Sequence, residues 1–389
     1  MRIFFLYNEI VKKESDLIPH IRELYTHLAR EHDVILFAPR PGEGAVPGDR
    51  RVYIRAGTVP IISSLLFQLL LLAALVSRSR REGKPDAMYS RHNMYNLAPR
   101  LASRVLGVPY VLEENGLGAD EVGWKGIQAL FRPLIRLTSL LDFRGAAHIV
   151  AVTPGIRQAL IDDYGIPGAK ITVIENGANT DLFRPVGAAQ ARAVLGMDPA
   201  ARVVCFAGTL YPYQGVDSLI RAAPLVLAKD PSVLFLVVGD GPMLRESREL
   251  AGRLGVAGSF RFTGRVPYEQ VPLHICAADL CVAPKKPILS GYSPLKLYEY
   301  MACGRPVIAT RTAGFEVLEA GQAGVLVDPE NPGEFGAAMN RLLGDPALGE
   351  RMGRNGRRCV EEKRNWAGIA AEIGGILAST VRLYHPGGS

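Results

Sequence analysis

The chain has 389 residues, 48% of them hydrophobic and 21% charged, a balance that excludes disorder and gives enough length for two domains with full cores. Its 45 Lys and Arg against 38 Asp and Glu leave a net charge of +7, which suits an anionic partner such as a nucleotide, an acidic lipid or a phosphorylated substrate; no strip of interleaved basic and aromatic residues points to nucleic acid. The five cysteines, Cys205, Cys276, Cys281, Cys303 and Cys359, lack C-x-x-C spacing and lie mostly in apolar runs, so they read as reduced thiols of a cytoplasmic protein rather than disulfides or a metal site.

Met1 to Tyr7 is apolar apart from Arg2, but it is too short and too soon followed by Glu9 for a secretory signal, and it predicts a first buried strand. A loop from Asn8 to Asp16 follows, then a helix over Pro19 to Arg30 and a strand over Asp33 to Ala38. Such alternation predicts a doubly wound parallel sheet, in which ligands bind at the carboxyl ends of the strands. Asn8, Glu9 and His20 fall near such a crevice, with loop and capping roles the simpler reading. Val59 to Val76, VPIISSLLFQLLLLAALV, is the most apolar window. Three readings stay open for it: a helix covering the sheet, the same helix also touching a membrane surface, and a span. Between Arg50 and Arg104 the only acidic residues are Glu82 and Asp86, against a run of basic residues that includes Arg78, Arg80 and Arg81, a charge that favours anionic lipid.

Pro85 to Ser90 leads into a strand ending at Arg91-His92-Asn93, a helix spans Leu97 to Leu106, and Val108 to Leu112 is a strand ending at Glu113-Glu114-Asn115-Gly116. Two polar clusters thus fall at successive strand ends. Glu113 and Glu114 either act on a ligand there or cap and pair with Arg91 and Lys125. A strand over Ala147 to Val152, a helix opened by Thr153-Pro154-Gly155, and a strand over Ile171 to Ile174 complete this half. The turn-rich stretch Glu175 to Pro185 suits a hinge, which puts the first domain at 1–185 and the second at 186–365.

The second half repeats the alternation. Strands over Val203 to Ala207 and Val233 to Val238 end in Gly208-Thr209 and Gly239-Asp240-Gly241; Phe260 to Val266 is a strand and loop, and Leu280 to Pro284 a further strand. No G-x-G-x-x-G fingerprint occurs, so no nicotinamide cofactor is expected. Ser293 to Thr310, SPLKLYEYMACGRPVIAT, predicts a turn, a short helix burying Leu297, Tyr300 and Met301, a close at Gly304 and a buried strand. The start of that helix, at Ser293 to Leu295, would present unpaired backbone N–H groups beside Lys296, which suits a diphosphate, and Glu299 one turn on could accept two hydrogen bonds from a ribose diol. The alternative is a core helix with an incidental Lys and Glu.

Glu299, Met301 to Val307 and the preceding Pro294-Leu295-Lys296 resemble the donor segment of retaining GT-B glycosyltransferases of family four, in the subset with a Pro-Leu-Lys-x-x-Glu-Tyr-Met-Ala motif. Asn176-Gly177 and Phe183-Arg184-Pro185 resemble that family's interdomain junction. The resemblance implies two Rossmann-like doubly wound domains facing a central cleft, with residues 366–389 forming a last helix that returns to the first domain. It also implies sugar transfer, with retention, from a nucleotide-diphosphate sugar to a glycan or lipid-linked acceptor in cell-surface glycan or glycolipid synthesis. Gly208, Thr209, Gly239, Arg265, Val266, Ser293, Leu295, Lys296 and Glu299 then fall at donor-binding positions.

This chain departs from the family pattern at four places. Gly291 stands where the first donor Glu is expected, Thr209 and Gln214 replace an Arg and a Lys that grip the diphosphate, and Asn115 replaces a His. The cation duty then passes to Lys296, with Arg265, Lys285 and Lys286 behind it, while His92, Glu113, Glu114 and Asn115 remain to orient or deprotonate an acceptor hydroxyl. No D-x-D motif is present, so neither a metal nor another cofactor is expected. A nucleotide-sugar 2-epimerase of the same architecture and a non-catalytic sugar- or membrane-binding module are the rival readings. A cytoplasmic enzyme, peripheral at the inner membrane face through residues 59–104, is the expected setting.

Overall fold

A computed structural model describes residues 1–8, 18–40, 50–55, 60–93, 95–116, 131–288 and 290–385, with residues 60–62 described by backbone alone. Glu9, Lys125 and most of the loop from Asn8 to Asp16 lie outside the described residues. The chain divides into two compact units, Met1–Glu175 with Trp366–Ser389, and Asn176–Asn365.

The first unit runs β1 (Arg2–Leu6), α1 (Pro19–Glu31), β2 (Asp33–Pro39), β3 (Arg51–Ile54), α2 (Pro60–Glu82), β4 (Ala87–Arg91), α3 (Ala98–Leu106), β5 (Tyr110–Glu114), α4 (Arg132–Gly145), β6 (His148–Ala151), α5 (Pro154–Asp162) and β7 (Ile171–Val173). Its seven strands lie in the order β3-β2-β1-β4-β5-β6-β7, all pairs parallel. The strands read as unbroken apolar runs because both faces are covered: Phe4, Leu6, Ile35, Phe37, Leu112 and Ile149 fill one side, and Ile3 and Phe5 are equally buried. Thr153 caps α5 by accepting from the Ile156 amide at 3.0 Å.

The apolar window forms α2, which lies over the sheet through Phe67, Leu71 and Leu75. Its other side carries Leu65, Leu66, Leu69 and Leu70 into solvent, with Leu69 64% exposed. Neighbouring α3 adds exposed Leu101 and Val105, and α4 beside it adds Leu134 and Leu137. Among the described residues no helix is long and apolar enough to cross a membrane.

The second unit runs α6 (Ala188–Val194), β8 (Arg202–Ala207), α7 (Val216–Leu227), β9 (Val233–Val238), α8 (Leu244–Arg253), β10 (Phe260–Gly264), α9 (Val271–Cys276), β11 (Leu280–Ala283), α10 (Leu295–Ala302), β12 (Val307–Thr310), α11 (Val317–Ala320), β13 (Gly324–Val327), α12 (Pro332–Gly344) and α13 (Pro346–Lys363). Its six parallel strands are ordered β10-β9-β8-β11-β12-β13. Both sheets are therefore Rossmann-like and doubly wound, as expected. The last helix, α14 (Trp366–Tyr384), packs against α1 and the β4–β5 part of the first sheet.

Six elements were not anticipated from the sequence: β3, α4, α6, α8, α11 and α13. The last carries Gly349, Gly353 and Gly356, residues that weaken a helical pattern yet let α13 lie against the turn after α10; a Cβ at Gly353 would fall 2.1 Å from the Gly304 carbonyl oxygen. From α13, Arg357 donates to the carbonyls of Thr180 (3.2 Å), Phe183 (2.7 Å) and Ala302 (2.8 Å), and Phe183 is fully buried against Tyr268. Asn176 to Pro185, which the sequence reading put with the first domain, thus groups with the second unit.

Candidate functional site

In the second unit a polar arrangement gathers at the carboxyl ends of β8, β9 and β11. There α10 buries Leu297, Tyr298, Tyr300 and Met301 completely, and the Tyr300 hydroxyl grips the end of β8 by donating to Ala207 O (3.0 Å) and accepting from Ala207 N (2.8 Å). No described side chain caps the start of α10 at Pro294, so the amides of its first turn stay available to a ligand.

Lys296, in that first turn, is half-buried. Its Nζ donates to Gln214 Oε1 at 2.8 Å and sits 4.0 Å from the Phe206 ring centroid. Gly208 makes room for it: a Cβ there would fall 2.5 Å from Nζ. Lost hydration, then repulsion from Lys285, push the Lys296 pKa well below the usual range. Lys285 lies 4.0 Å over the Tyr292 ring, and burial pushes it down to about 8. Two ammonium groups are thus held partly dry without a carboxylate bonded to either among the described contacts, an arrangement that an incoming dianion would stabilise. Lys286 is placed differently, 3.5 Å from Asp217.

Glu299, one turn along α10, accepts from the Tyr268 hydroxyl at 2.9 Å, and burial raises its carboxyl to about 7 despite that bond. Ser293 accepts from Asn176 Nδ2 at 2.7 Å, which ties the start of the Asn176–Pro185 stretch to the loop before α10. Leu295 opens the helix. The Gly208 amide donates to Val238 O and the Gly239 amide to Gly264 O, aligning three strand ends; Arg265 follows exposed and Val266 packs into the core. Thr209 is exposed beside Gly208.

Gly291, at the position of the expected donor Glu, has φ +68°, and a Cβ there would lie 2.8 Å from Ala313 O. The turn itself therefore selects glycine. Gly291→Glu is expected to lower the stability of the second unit by about 1–3 kcal/mol, read by urea unfolding; an unchanged midpoint would show that the turn relaxes.

The first unit holds a second cluster. Glu113 accepts from the Tyr89 hydroxyl and from Asn115 Nδ2, with His20 Nε2 3.9 Å away. Arg91 donates to His20 at 2.6 Å, and burial and that guanidinium depress the His20 pKa well below 6.5. His20 is thus a neutral acceptor inside α1, not a loop residue. His92 donates from Nδ1 to Asp142 Oδ2 at 3.0 Å, while Nε2 is 3.1 Å from Ser139 Oγ and 3.8 Å from Glu114 Oε2. Burial works against a charge on His92, but Glu114 and Asp142 outweigh it and its pKa is raised. Asp142 also accepts from Asn96 (2.7 Å) and Tyr110 (2.9 Å), with no exposure to solvent. Sequence reasoning missed Asp142 because it left α4 out; a lone acid in the apolar run Leu140-Leu141-Asp142-Phe143 was the available signal.

Residues 19–182 match the family described as Glycosyltransferase Family 4, and residues 201–345 match that described as Glycosyl transferases group 1. The GDP-mannose-dependent alpha-(1-6)-phosphatidylinositol monomannoside mannosyltransferase of Mycobacterium tuberculosis is 31% identical over 290 residues, 72% of this chain and 72% of that protein. The D-inositol 3-phosphate glycosyltransferase of Streptomyces bingchenggensis is 32% identical over 264 residues, 65% of this chain; the match spans 57% of that relative's length. In fold, the chain resembles Anabaena Alr3699/HepE, solved in complex with UDP, at a TM-score of 0.76 and 21% identity, covering 97% of this chain and 100% of that one.

Proposed function

This chain belongs to the glycosyl transferases group 1 family, and from that premise we propose that it is a hexosyltransferase moving a sugar from a nucleoside-diphosphate sugar to an acceptor hydroxyl, with retention at the anomeric carbon. The observation that carries the proposal is the partly dry ammonium of Lys296 at the open start of α10, pinned by Gln214 over Gly208, with Glu299 one turn beyond.

In this reading the diphosphate sits on the first amides of α10 with Lys296 and Lys285 as counter-ions, and Glu299 accepts the ribose hydroxyls. Charge developing on the leaving diphosphate meets donors already in place, so no obligatory metal is invoked. The acceptor attacks from the face on which the diphosphate departs. Within the first unit, His92, Glu113, Glu114 and Asn115 orient the acceptor. The names of relatives and neighbours supply the donors and acceptors to try first: GDP-mannose and UDP-glucose, phosphatidylinositol monomannoside and D-inositol 3-phosphate. The test is nucleotide release: UDP-glucose and GDP-mannose should yield free UDP or GDP only when an acceptor is present. Conversion of either nucleotide sugar to its 2-epimer without acceptor, with no net release of free nucleotide, would instead indicate an epimerase.

A pH signature accompanies the proposal. Lys285 loses its proton around pH 8, and burial and the neighbouring Lys285 likewise depress the Lys296 pKa, whereas a bound dianion favours both charged forms. Near pH 8.5 Glu299 is ionised already. Binding of UDP or GDP there should take up protons, measured by calorimetry in buffers of different ionisation enthalpy, and affinity should fall as pH rises further. Heats independent of the buffer would remove the lysines from the site.

The exposed leucines of α2, with Arg80 and Arg81 exposed at its end, support peripheral binding to an anionic membrane from the cytoplasmic side, where a lipid-linked acceptor for cell-surface glycolipid synthesis would reside. Vesicles containing phosphatidylglycerol should sediment the protein and phosphatidylcholine vesicles should not. Leu66→Glu with Leu69→Glu should reduce sedimentation at least fivefold; equal sedimentation would reject the surface.

A further inference from the structure

Between Gly208 and Gln214 the chain exposes two aromatic rings that the binding of a diphosphate leaves unused. Tyr211 and Tyr213 are 44% and 43% exposed, and their rings stack with centroids 5.7 Å apart and planes 10° from parallel. The stack runs inward: Tyr213 lies 6.1 Å and 21° from Tyr292, which is nearly buried and lies 6.0 Å from the fully buried Phe315. The inner end is therefore anchored in the core while the outer end opens to solvent.

The backbone carrying the rings is fixed at each step. Tyr211 N donates to Thr209 O (3.0 Å), Gln214 N to Tyr211 O (2.9 Å) and Lys286 N to Tyr213 O (2.9 Å), with Pro212 between the rings. Two large rings stacked on one another and left nearly half exposed present an ordered aromatic surface to solvent, and amphipathic tyrosines ordered at low entropic cost are characteristic of ligand contacts.

We infer that Tyr211 and Tyr213 form a stacking platform for a hexopyranose ring. The inference rests on the reading of the α10 start as a nucleotide-diphosphate site and names what lies beyond the phosphates. Strand order decides the direction. Glu299 bonds Tyr268, in the loop after β10, at one edge of the sheet. The Tyr211–Tyr213 loop leaves β8 and is tied to residues just after β11, away from β10, and its Gln214 holds Lys296. A diphosphate at Lys296 with its ribose at Glu299 directs its far phosphate toward the tyrosines, where a nucleoside-diphosphate sugar carries its sugar. A pyranose presents an apolar C–H face ringed by hydroxyls, and two uncharged rings with polar hydroxyl tips match that pattern and not a further phosphate. The sugar could come from the donor or the acceptor.

Four proteins are compared, the wild type, Tyr211→Ala, Tyr213→Ala and Tyr211→Phe, the last retaining the ring as a control for folding. Calorimetry with UDP and GDP should give affinities within about twofold throughout. If the donor sugar stacks, UDP-glucose or GDP-mannose should bind the alanine variants roughly tenfold more weakly and the phenylalanine variant nearly as well as wild type. If the acceptor sugar stacks, saturation-transfer NMR with methyl α-glucopyranoside or methyl α-mannopyranoside should show contact in wild type even with UDP-glucose bound, lost on alanine substitution. Equal sugar signals and affinities in all four proteins overturn the platform, as does a loss for UDP or GDP equal to that for the sugar nucleotides, which would make the rings a base-stacking surface. A wild type that binds neither UDP nor GDP defeats the nucleotide-site reading, and the methyl-glycoside spectra then decide the platform alone.

Discussion

Lys296→Ala is expected to weaken UDP or GDP binding by roughly 10- to 150-fold, the equivalent of about 1.5–3 kcal/mol for a hydrogen bond to a charged group. The size follows from position. Nζ already lies in a partly dry niche between Gln214, the Phe206 face and Gly208, so a phosphate oxygen arriving there meets an ammonium whose hydration has been removed in advance. Alanine leaves the niche to water and Lys285 as the remaining nearby cation. A second substitution tests whether position or charge matters. Gln214→Lys in the Lys296→Ala background moves an ammonium to the other end of the same hydrogen bond and should recover a substantial part of the affinity. Unaltered calorimetric affinity in folded Lys296→Ala would refute the assignment of the leaving-group cation.

The other large effect is expected at Asp142. Its carboxylate accepts from His92, Asn96 and Tyr110 at zero exposure, so Asp142→Ala strands buried donors and should cost about 2–4 kcal/mol, read as an earlier urea transition of the first unit. Asp142→Asn keeps the volume and adds a pH test. Because Glu114 and Asp142 raise the folded pKa of His92, its charged form stabilises the fold; that stability is fully present below about pH 6.5 and is lost as pH rises through the folded value. The variant should flatten this decline. A shift below about 0.5 kcal/mol in Asp142→Ala would mean the cluster rearranges at little cost.

The sequence made the strand runs plain because strands buried on both faces are apolar throughout, as Ile3 to Leu6 and Val203 to Ala207 are. It also located α10, whose buried Leu297, Tyr300 and Met301 recur at helical spacing. Elements whose reasons lie elsewhere in the chain were hidden. The glycines of α13 look like breaks until the Gly304 turn is seen against them, and β3, four residues at a sheet edge, offers too few apolar positions to mark a strand. At the candidate site, Lys296 and Glu299 could be named from one segment, whereas Gln214, Tyr268 and Lys285 arrive from other strand ends. The substitution of Gln for Lys at 214 looked like a loss; the structure gives Gln214 work as the acceptor that holds Lys296.

Arg357 bears on how the halves can be produced separately. A gene fragment encoding the second half must begin at Asn176. Starting after Pro185 would strip the guanidinium of the Thr180 and Phe183 carbonyls, remove the Ala178 amide from the Arg364 carbonyl, and empty the socket in which the Phe183 ring lies 5.4 Å from Tyr268. The shorter fragment would open an oily hole beside the tyrosine that bonds Glu299, and its poor nucleotide binding would then report a damaged boundary rather than a missing partner half.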